Sequence, residues 1–171
     1  MCGIAGIIDF RGRGVPRDTL QRMQAALAHR GPDDSGIWTC QAPGFAVGLA
    51  HTRLAVIDPT PEGHQPMVEG DGRWAVVYNG ELYNYRTLGR QLATPFRSAC
   101  DTEVVLQACI TQGPDALASF DGMWSLAFVD ADRHLGHLSR DPLGIKPLYY
   151  ACHNDRLIFA SEMRAKISRS L

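Results

Sequence analysis

The sequence predicts an α+β protein in which antiparallel sheets pack together and helices cover their outer faces. Strand-like segments cluster at the two ends of the chain, whereas helix-like segments lie mostly in the middle. This order differs from the regular βαβα alternation that builds a parallel sheet. After Gly122, several short apolar segments follow one another, split by polar or Gly/Pro turns, which is typical of antiparallel strands.

The first elements are a buried strand and a helix. Residues 3–9 (GIAGIID) predict the strand, because isoleucines and small residues make up an apolar run. A helix is predicted to begin at Pro16, since Asp18 and Gln21 have the spacing of a capping box. The RGPDD segment, residues 30–34, is expected to end this helix.

The middle of the chain predicts further strands and two helices. Residues 45–58 alternate enough to hold one or two strands, and residues 74–78 predict another. Residues 85–92 predict a short helix. Residues 101–112 predict a longer one, because their apolar positions recur at helical spacing.

Composition and charge exclude several classes of protein. The 171 residues fit a single domain, with 45% hydrophobic and 20% charged residues and a net charge of −1. Without a block of like charge, neither nucleic acid nor an anionic membrane is an expected partner. No apolar run is long enough to span a bilayer, and the start does not resemble a secretory signal. We therefore expect a cytoplasmic protein.

The cysteines and histidines do not predict a metal site. The five cysteines are scattered and form no CxxC pair, which argues against a disulfide framework or a zinc site. His134 and His137 lie three residues apart in an extended segment, which would place them on opposite faces of a strand. The sequence therefore predicts no metal ligands.

Cys2 directly follows Met1, which allows two interpretations. Cysteine is often a small buried residue at the start of a strand. Alternatively, removal of Met1 would leave Cys2 as an N-terminal residue carrying a thiol and a free α-amine. The ordinary pKa values of these groups, about 8.5 and about 7.7–8.0, let the amine accept the thiol proton near neutral pH. The residue alone does not decide between the two.

The Asn79-Gly80 pair also has two interpretations. Asn-Gly is a strong signal for a two-residue hairpin turn. The same pair can supply a side-chain amide N–H and a backbone N–H to a developing oxyanion, because glycine permits close approach and asparagine is a neutral donor.

Three charged residues would suit an α-amino acid as ligand. Arg53 interrupts an apolar extended run, so it either reaches solvent at a sheet edge or offers a fixed fork to a carboxylate. Glu81 and Asp101 are acids beside turn residues and would suit an ammonium group, although Asp101 is equally typical of a helix N-cap.

Eight motifs in order carry a resemblance to a known family. They are MCGIAGIID, HRGPDDSG, HTRLAVID, YNGELYNY, CDTEVV, FDGMWSLAFVD, RDPLGIKPLYY and ASEM. As an ordered set they closely resemble the glutaminase domain of glutamine-hydrolysing asparagine synthetases. These domains are class II glutamine amidotransferases of the N-terminal nucleophile hydrolase superfamily. The resemblance extends from Cys2 to about Glu162.

The resemblance implies a four-layer αββα sandwich with the nucleophile at the end of the first strand. It implies that Cys2 is the nucleophile, with its own α-amine as general base, and that Asn79 and Gly80 form the oxyanion hole. By the same resemblance Arg53 binds the α-carboxylate of glutamine. Asp101 and Glu81, the latter through its backbone or its side chain, bind the ammonium group. Leu54 and Ile57 line the pocket. His29, Arg30 and Asp33 are expected to have structural roles around the site.

The chain also departs from the family. Cys100 stands where serine is common before Asp-Thr-Glu, and a thiol forms weaker hydrogen bonds than a hydroxyl. The sequence contains no SGGxDS motif of an ATP-using synthetase domain. We therefore expect no cofactor in this domain, with ATP and Mg²⁺ used only by a partner synthetase domain or subunit that accepts the ammonia. Two alternative hypotheses remain. The chain could be a non-catalytic glutamine-binding or docking module, or it could hydrolyse another amide.

Overall fold

The computed structural model describes residues 1–166, whose strands form two antiparallel sheets. In chain order the elements are β1 (Gly3–Asp9), α1 (Arg17–Leu27), β2 (Asp34–Ala42), β3 (Phe45–Arg53), β4 (Met67–Glu69), β5 (Trp74–Leu82), α2 (Tyr85–Leu92), α3 (Asp101–Gln112), β6 (Gly122–Asp130), β7 (Leu135–Arg140), β8 (Tyr149–His153), β9 (Arg156–Ala160) and α4 (Met163–Lys166).

The elements stack in four layers. One sheet has five strands in the order β2-β3-β1-β9-β8, and the other has four in the order β4-β5-β6-β7. Helices α1 and α4 pack on the outer face of the first sheet, and α2 and α3 cover the second. The α+β sandwich expected from the sequence is therefore confirmed, with helices outside and sheets inside.

Along the central strands, successive apolar side chains point alternately to the two faces, and this alternation creates the layers. On β5, Ala75 and Val77 face the other sheet, whereas Val76 and Tyr78 face the helices α2 and α3. Successive side chains of a strand point to opposite faces, so a strand that is apolar at every position is buried on both sides. Each large apolar side chain buried in this way contributes about 1.5–3 kcal/mol.

Several predicted elements match the structure and others differ. β1, α2 and α3 have the predicted bounds, and β6 to β9 are the expected antiparallel strands, paired as β6-β7 in one sheet and as β8-β9 in the other. The predicted capping box is wrong: Pro16 occupies the N-cap position, and Asp18 instead pairs with Arg22 at 2.7 Å. Residues 45–58 hold a single strand, β3, which ends at Arg53.

The two histidines at the start of β7 pack against aromatic rings. The ring of His134 stacks on Phe45 and that of His137 on Phe128, with centroid distances of 5.2 and 6.3 Å. His134 lies just before β7 rather than within it. Within residues 1–166 no helix is long and apolar enough to cross a membrane.

Candidate active site

A cavity of about 420 Å³ opens where β1, β3, β5 and α3 end or begin. Its volume lies within the range of small-molecule sites. The structure places every catalytic and substrate-binding residue predicted from the sequence around this one cavity: Cys2, Arg53, Leu54, Ile57, Asn79, Gly80, Glu81 and Asp101.

Cys2 lies at the start of β1, next to the end of β3. The register pairs Gly3 with Thr52, which brings the Cys2 side chain to the residues that follow Arg53. The backbone N–H of Leu54 lies 3.4 Å from Cys2 Sγ, and the thiol lies 3.7 Å from the Leu54 carbonyl oxygen. The Cys2 thiol is half-buried and faces the cavity.

Arg30 holds the backbone of Cys2. Its Nε donates to the Cys2 carbonyl oxygen at 2.9 Å, and its Nη1 pairs with Glu162 Oε1 at 3.0 Å. Glu162 also lies 2.9 Å from His29 Nε2. Burial by itself would raise the pKa of Glu162, but the hydrogen bonds from Arg30 and His29 keep it below its ordinary value. Arg30 thus links the start of β1 to Glu162 in the segment after β9, and His29 stabilises this link.

Gly31 lets the segment after Arg30 approach the end of β3. A Cβ on Gly31 would lie within 2.5 Å of backbone atoms of Thr52 and Arg53, a distance that no side chain tolerates. Asp33, two residues on, accepts a hydrogen bond from Ala55 N–H at 2.8 Å. Residues 30–33 therefore support both Cys2 and the loop that follows β3.

Arg53 is buried at the base of the loop formed by residues 54–63. Its Nη1 donates to the Thr60 carbonyl oxygen at 2.8 Å, and its Nη2 donates to the Asp58 carbonyl oxygen. Gly63 leaves the space that the guanidinium fills, because a Cβ there would meet Nη2. Arg53 is 5% exposed. A guanidinium has five N–H donors, so these two contacts leave others for a ligand carboxylate.

Asp58 ties the same loop to the segment before α3. Its Oδ1 accepts from the Thr60 hydroxyl at 2.6 Å, and its Oδ2 accepts from Ala99 N–H at 3.0 Å. The hydrogen bonds from Thr60 hold the pKa of Asp58 below its ordinary value, so it remains a carboxylate. Sequence reasoning missed this residue, although the Asp-Pro-Thr sequence that begins at Asp58 is a turn signal.

Asn79 and Gly80 lie inside β5 rather than in a turn. Asn79 pairs with Ser125 and Gly80 with Trp124, so the hairpin-turn interpretation is wrong. Asn79 is 1% exposed, and among the described residues 1–166 its Nδ2 has only a long contact of 3.5 Å, to Ser125 Oγ. A Cβ on Gly80 would lie 2.6 Å from the Met123 carbonyl oxygen, so this close packing requires glycine.

Asp101 is the first residue of α3 and faces the cavity. Its Oδ2 accepts from Leu82 N–H at 3.0 Å, and Cys100 Sγ lies 3.6 Å from Oδ1. Burial raises the pKa of Asp101, and the Leu82 N–H opposes this effect. The N-cap position belongs to Cys100, whose side chain forms no capping hydrogen bond, so the N-cap interpretation of Asp101 is wrong.

Three further residues, Tyr78, Glu81 and Cys100, line the cavity together with Asp101. Glu81 is exposed and lines the cavity beside Gly80. Burial, together with the nearby Asp101 carboxylate, raises the pKa of Tyr78 well above its ordinary value, so its hydroxyl stays protonated. The Cys100 thiol contacts Thr102 Oγ1 at 3.4 Å, and burial raises its pKa as well. This side of the cavity is suited to a cationic group.

Comparison with protein families gives one match over nearly the whole chain. The model of the glutamine amidotransferase domain matches residues 1–170. An archaeal relative from Methanocaldococcus jannaschii, provisionally named glutamine-hydrolysing asparagine synthetase 2, is 39% identical over 96% of this chain and 34% of its own length. Glutamine-hydrolysing asparagine synthetase 3 of Bacillus subtilis is 38% identical over 96% of this chain and 27% of its own length. The chain thus spans about a third or less of these relatives.

A solved structure shares the fold. The glutamine phosphoribosylpyrophosphate amidotransferase from B. subtilis, complexed with ADP and GMP, aligns with a TM-score of 0.74 and 21% sequence identity. The alignment covers 95% of this chain and 42% of that one.

Proposed function

Because the chain belongs to the glutamine amidotransferase domain family, we propose that it hydrolyses glutamine to glutamate and ammonia with Cys2 as its N-terminal nucleophile. The observation that carries the proposal is the single cavity that contains a thiol, a buried guanidinium, a buried amide and a buried carboxylate, contributed by Cys2, Arg53, Asn79 and Asp101.

The substrate would lie with its two charged ends on opposite sides of the cavity. The α-carboxylate would contact Arg53, whose remaining N–H donors are not used by the 54–63 loop. The α-ammonium would lie by Asp101 and Glu81, and the side-chain amide would then extend to Cys2. Leu54 and Ile57 would pack against the methylene groups. An amide without the α-amino acid end would lose both charged contacts.

The reaction begins once Met1 is removed. The free α-amine of Cys2 accepts the thiol proton, and the thiolate attacks the side-chain carbonyl carbon of glutamine. The oxyanion of the tetrahedral intermediate accepts hydrogen bonds from the Asn79 side chain and the Gly80 N–H. The C–N bond then breaks, the protonated amine gives its proton to the departing ammonia, and a glutamyl thioester remains.

Hydrolysis of the thioester closes the cycle. The neutral amine takes a proton from water, the hydroxide attacks the thioester carbon, and the C–S bond breaks to release glutamate and restore the thiol. The ammonia would pass to an ATP- and Mg²⁺-dependent, amide-forming synthetase domain or subunit. The relatives named above as glutamine-hydrolysing asparagine synthetases, which are longer than this chain, support that partner.

The test replaces Cys2 and uses Cys152 as the matched control. Cys152 is an exposed cysteine on β8 that does not line the cavity. We expect Cys2→Ala to abolish glutamate release from glutamine, whereas Cys152→Ala keeps the wild-type rate. Intact-mass measurement of the active protein should show that Met1 is absent. Activity of Cys2→Ala near the wild-type rate, or active protein that retains Met1, contradicts the proposal.

A further inference from the structure

Lys146 is a buried lysine that lines the same cavity as Cys2. It is 6% exposed, and its Nζ contacts the Sδ atom of Met1 at 3.4 Å. Within residues 1–166 this thioether is its sole hydrogen-bonding or ionic side-chain partner, and no carboxylate lies within ion-pair distance. Thioether sulfur is a weak acceptor, whereas buried ammonium groups are normally paired. An amine buried in this way with so weak a partner requires an explanation.

The loop that carries Lys146 is fixed through its backbone. The Asp141 carboxylate accepts hydrogen bonds from the N–H groups of Ile145 at 2.8 Å and Lys146 at 3.0 Å. Arg140 Nε donates to the Lys146 carbonyl oxygen at 2.6 Å. These contacts hold the Lys146 backbone independently of its side chain, so the side chain can be replaced without removing what shapes the loop.

The contact with Met1 places the Lys146 charge close to the reacting atoms. Met1 Sδ is five bonds from the Cys2 nitrogen, so Nζ lies within about 10 Å of that nitrogen. Removal of Met1 frees the α-amine and also removes the thioether that Nζ contacts. The charge then acts on the Cys2 amine and thiol across the cavity that Cys2 and Lys146 both line.

Other titratable or charged groups also face this cavity from the elements around it. They are Arg53 on β3, Asp58 in the following loop, Tyr78 and Glu81 on β5, and Cys100 and Asp101 at α3. Arg53 and Asp58 both hold the 54–63 loop. Asp101 interacts with Leu82, Cys100 and Tyr78. Arg30 donates to the Cys2 carbonyl oxygen but is paired with Glu162, whereas the Lys146 side chain contacts Met1, the residue that precedes Cys2.

We propose that the Lys146 ammonium group favours the deprotonated, nucleophilic form of Cys2, by opposing a positive charge on its α-amine and stabilising a negative charge on its thiol. This inference rests on the proposed function, in which the Cys2 amine and thiol are the reacting groups. A unit charge at about 10 Å, with an effective dielectric constant of about 20, displaces such a titration by about one pH unit.

The experiment measures alkylation of Cys2 by iodoacetamide as a function of pH, with peptide mass spectrometry as the readout. Lys146→Met removes the charge and keeps an unbranched side chain, whereas Lys146→Arg keeps the charge. In Lys146→Met we expect the pH midpoint of Cys2 alkylation to rise by about one pH unit, which lowers the alkylation rate roughly tenfold at pH values below the midpoint. In Lys146→Arg the midpoint should stay near the wild-type value. The exposed Cys152 thiol in the same protein is the internal reference and should not move.

An unchanged Cys2 alkylation midpoint in Lys146→Met overturns the inference. An equal rise of the midpoint in Lys146→Met and Lys146→Arg also overturns it, because the effect would then depend on side-chain shape rather than charge. A higher KM for glutamine with an unchanged midpoint also overturns it, since Lys146 would then be a substrate contact. These outcomes are distinct from failure of the proposed function, which shows in the wild-type protein as retained Met1 or as glutaminase activity that survives Cys2→Ala.

Discussion

Replacement of Asp9 by asparagine should destabilise the fold in a pH-dependent way while leaving the catalytic cavity intact. Asp9 ends β1 at the opposite end from Cys2, and its side chain is fully buried. Its carboxylate accepts from Arg11 N–H at 2.8 Å, from Arg13 Nε at 2.9 Å and from Arg156 Nε at 2.6 Å. The neutral amide introduced by Asp9→Asn could not replace these charge-assisted hydrogen bonds.

The size of the effect follows from the titration of Asp9. Burial by itself would raise its pKa, but the hydrogen bonds from Arg156, Arg11 N–H and Arg13 lower it from 3.8 to about 2. This difference corresponds to at most about 2.4 kcal/mol of stability at pH 7. Because Arg13 is 44% exposed, solvent screening reduces the figure to about 1–2 kcal/mol. We therefore expect the Tm to fall by roughly 2–8 °C in Asp9→Asn at pH 7.

Thermal or urea unfolding from pH 7 to pH 2 supplies the measurement. A lowered pKa in the folded state contributes stability that is fully present above 3.8 and is lost as the pH falls through about 2. The stability difference between wild type and Asp9→Asn should hence be constant at neutral pH and shrink below about pH 4.

The matched control is Asp155→Asn. It breaks an ion pair with Arg11 whose two side chains are 67% and 50% exposed, and such pairs contribute about 0–1 kcal/mol. Glutaminase kcat at 25 °C should be unchanged in both variants. A difference between wild type and Asp9→Asn that is as large at pH 2 as at pH 7 would refute the reasoning.

Two further substitutions separate binding from chemistry. Arg53→Lys keeps the charge but loses the planar fork and its contacts with the Thr60 and Asp58 carbonyl oxygens. In steady-state kinetics the KM for glutamine should therefore rise roughly tenfold, with a smaller change in kcat. An unchanged KM would contradict this assignment. Asn79→Ala should lower kcat by about 10²–10³ with little change in KM. The control is Ser125→Ala, which removes the long contact to Asn79 and leaves the Asn79 side chain in place. A kcat loss below about threefold in Asn79→Ala would exclude Asn79 from the oxyanion hole.

Elements whose signals are local can be predicted from the sequence. The apolar run of β1 and the helical spacing in α3 reflect burial of residues close in the chain, and both have the predicted bounds. β2 (Asp34–Ala42) is not predicted. It is an edge strand of mostly half-buried residues, and it is defined by nine successive pairs with β3. Pairing of that kind is not visible in the β2 segment alone.

The Asn-Gly pair shows how tertiary structure overrides a local signal. Asn79-Gly80 has the composition of a hairpin turn. β6, which lies much later in the chain, pairs with β5 on both sides of it, from Trp74–Asp130 to Leu82–Gly122. This pairing keeps the backbone extended through the glycine, because strand formation depends on the neighbouring strand more than on intrinsic preference.

Site residues can be named from the sequence, but their supports cannot. The sequence predicts a structural role for Arg30, yet its contact with the Cys2 carbonyl depends on Glu162, 132 residues away in the chain. Lys146 lies in the apolar LGIKPL segment, and nothing local distinguishes it from a lysine that reaches solvent. Its burial depends on Asp141 and Arg140, which hold its backbone.

The junction of β3 with the 54–63 loop explains why these supports matter to the chemistry. Arg53 holds the loop through two carbonyl groups, and Leu54, the next residue, places its N–H 3.4 Å from the Cys2 sulfur. Asp33 fixes the following residue, Ala55, through its N–H. Three consecutive residues thus connect the guanidinium, the thiol and the RGPD segment. Because a peptide chain has only two soft dihedrals per residue, a change at Arg53 alters the environment of the thiol as well. For this reason the small fall in kcat expected of Arg53→Lys should accompany the rise in KM.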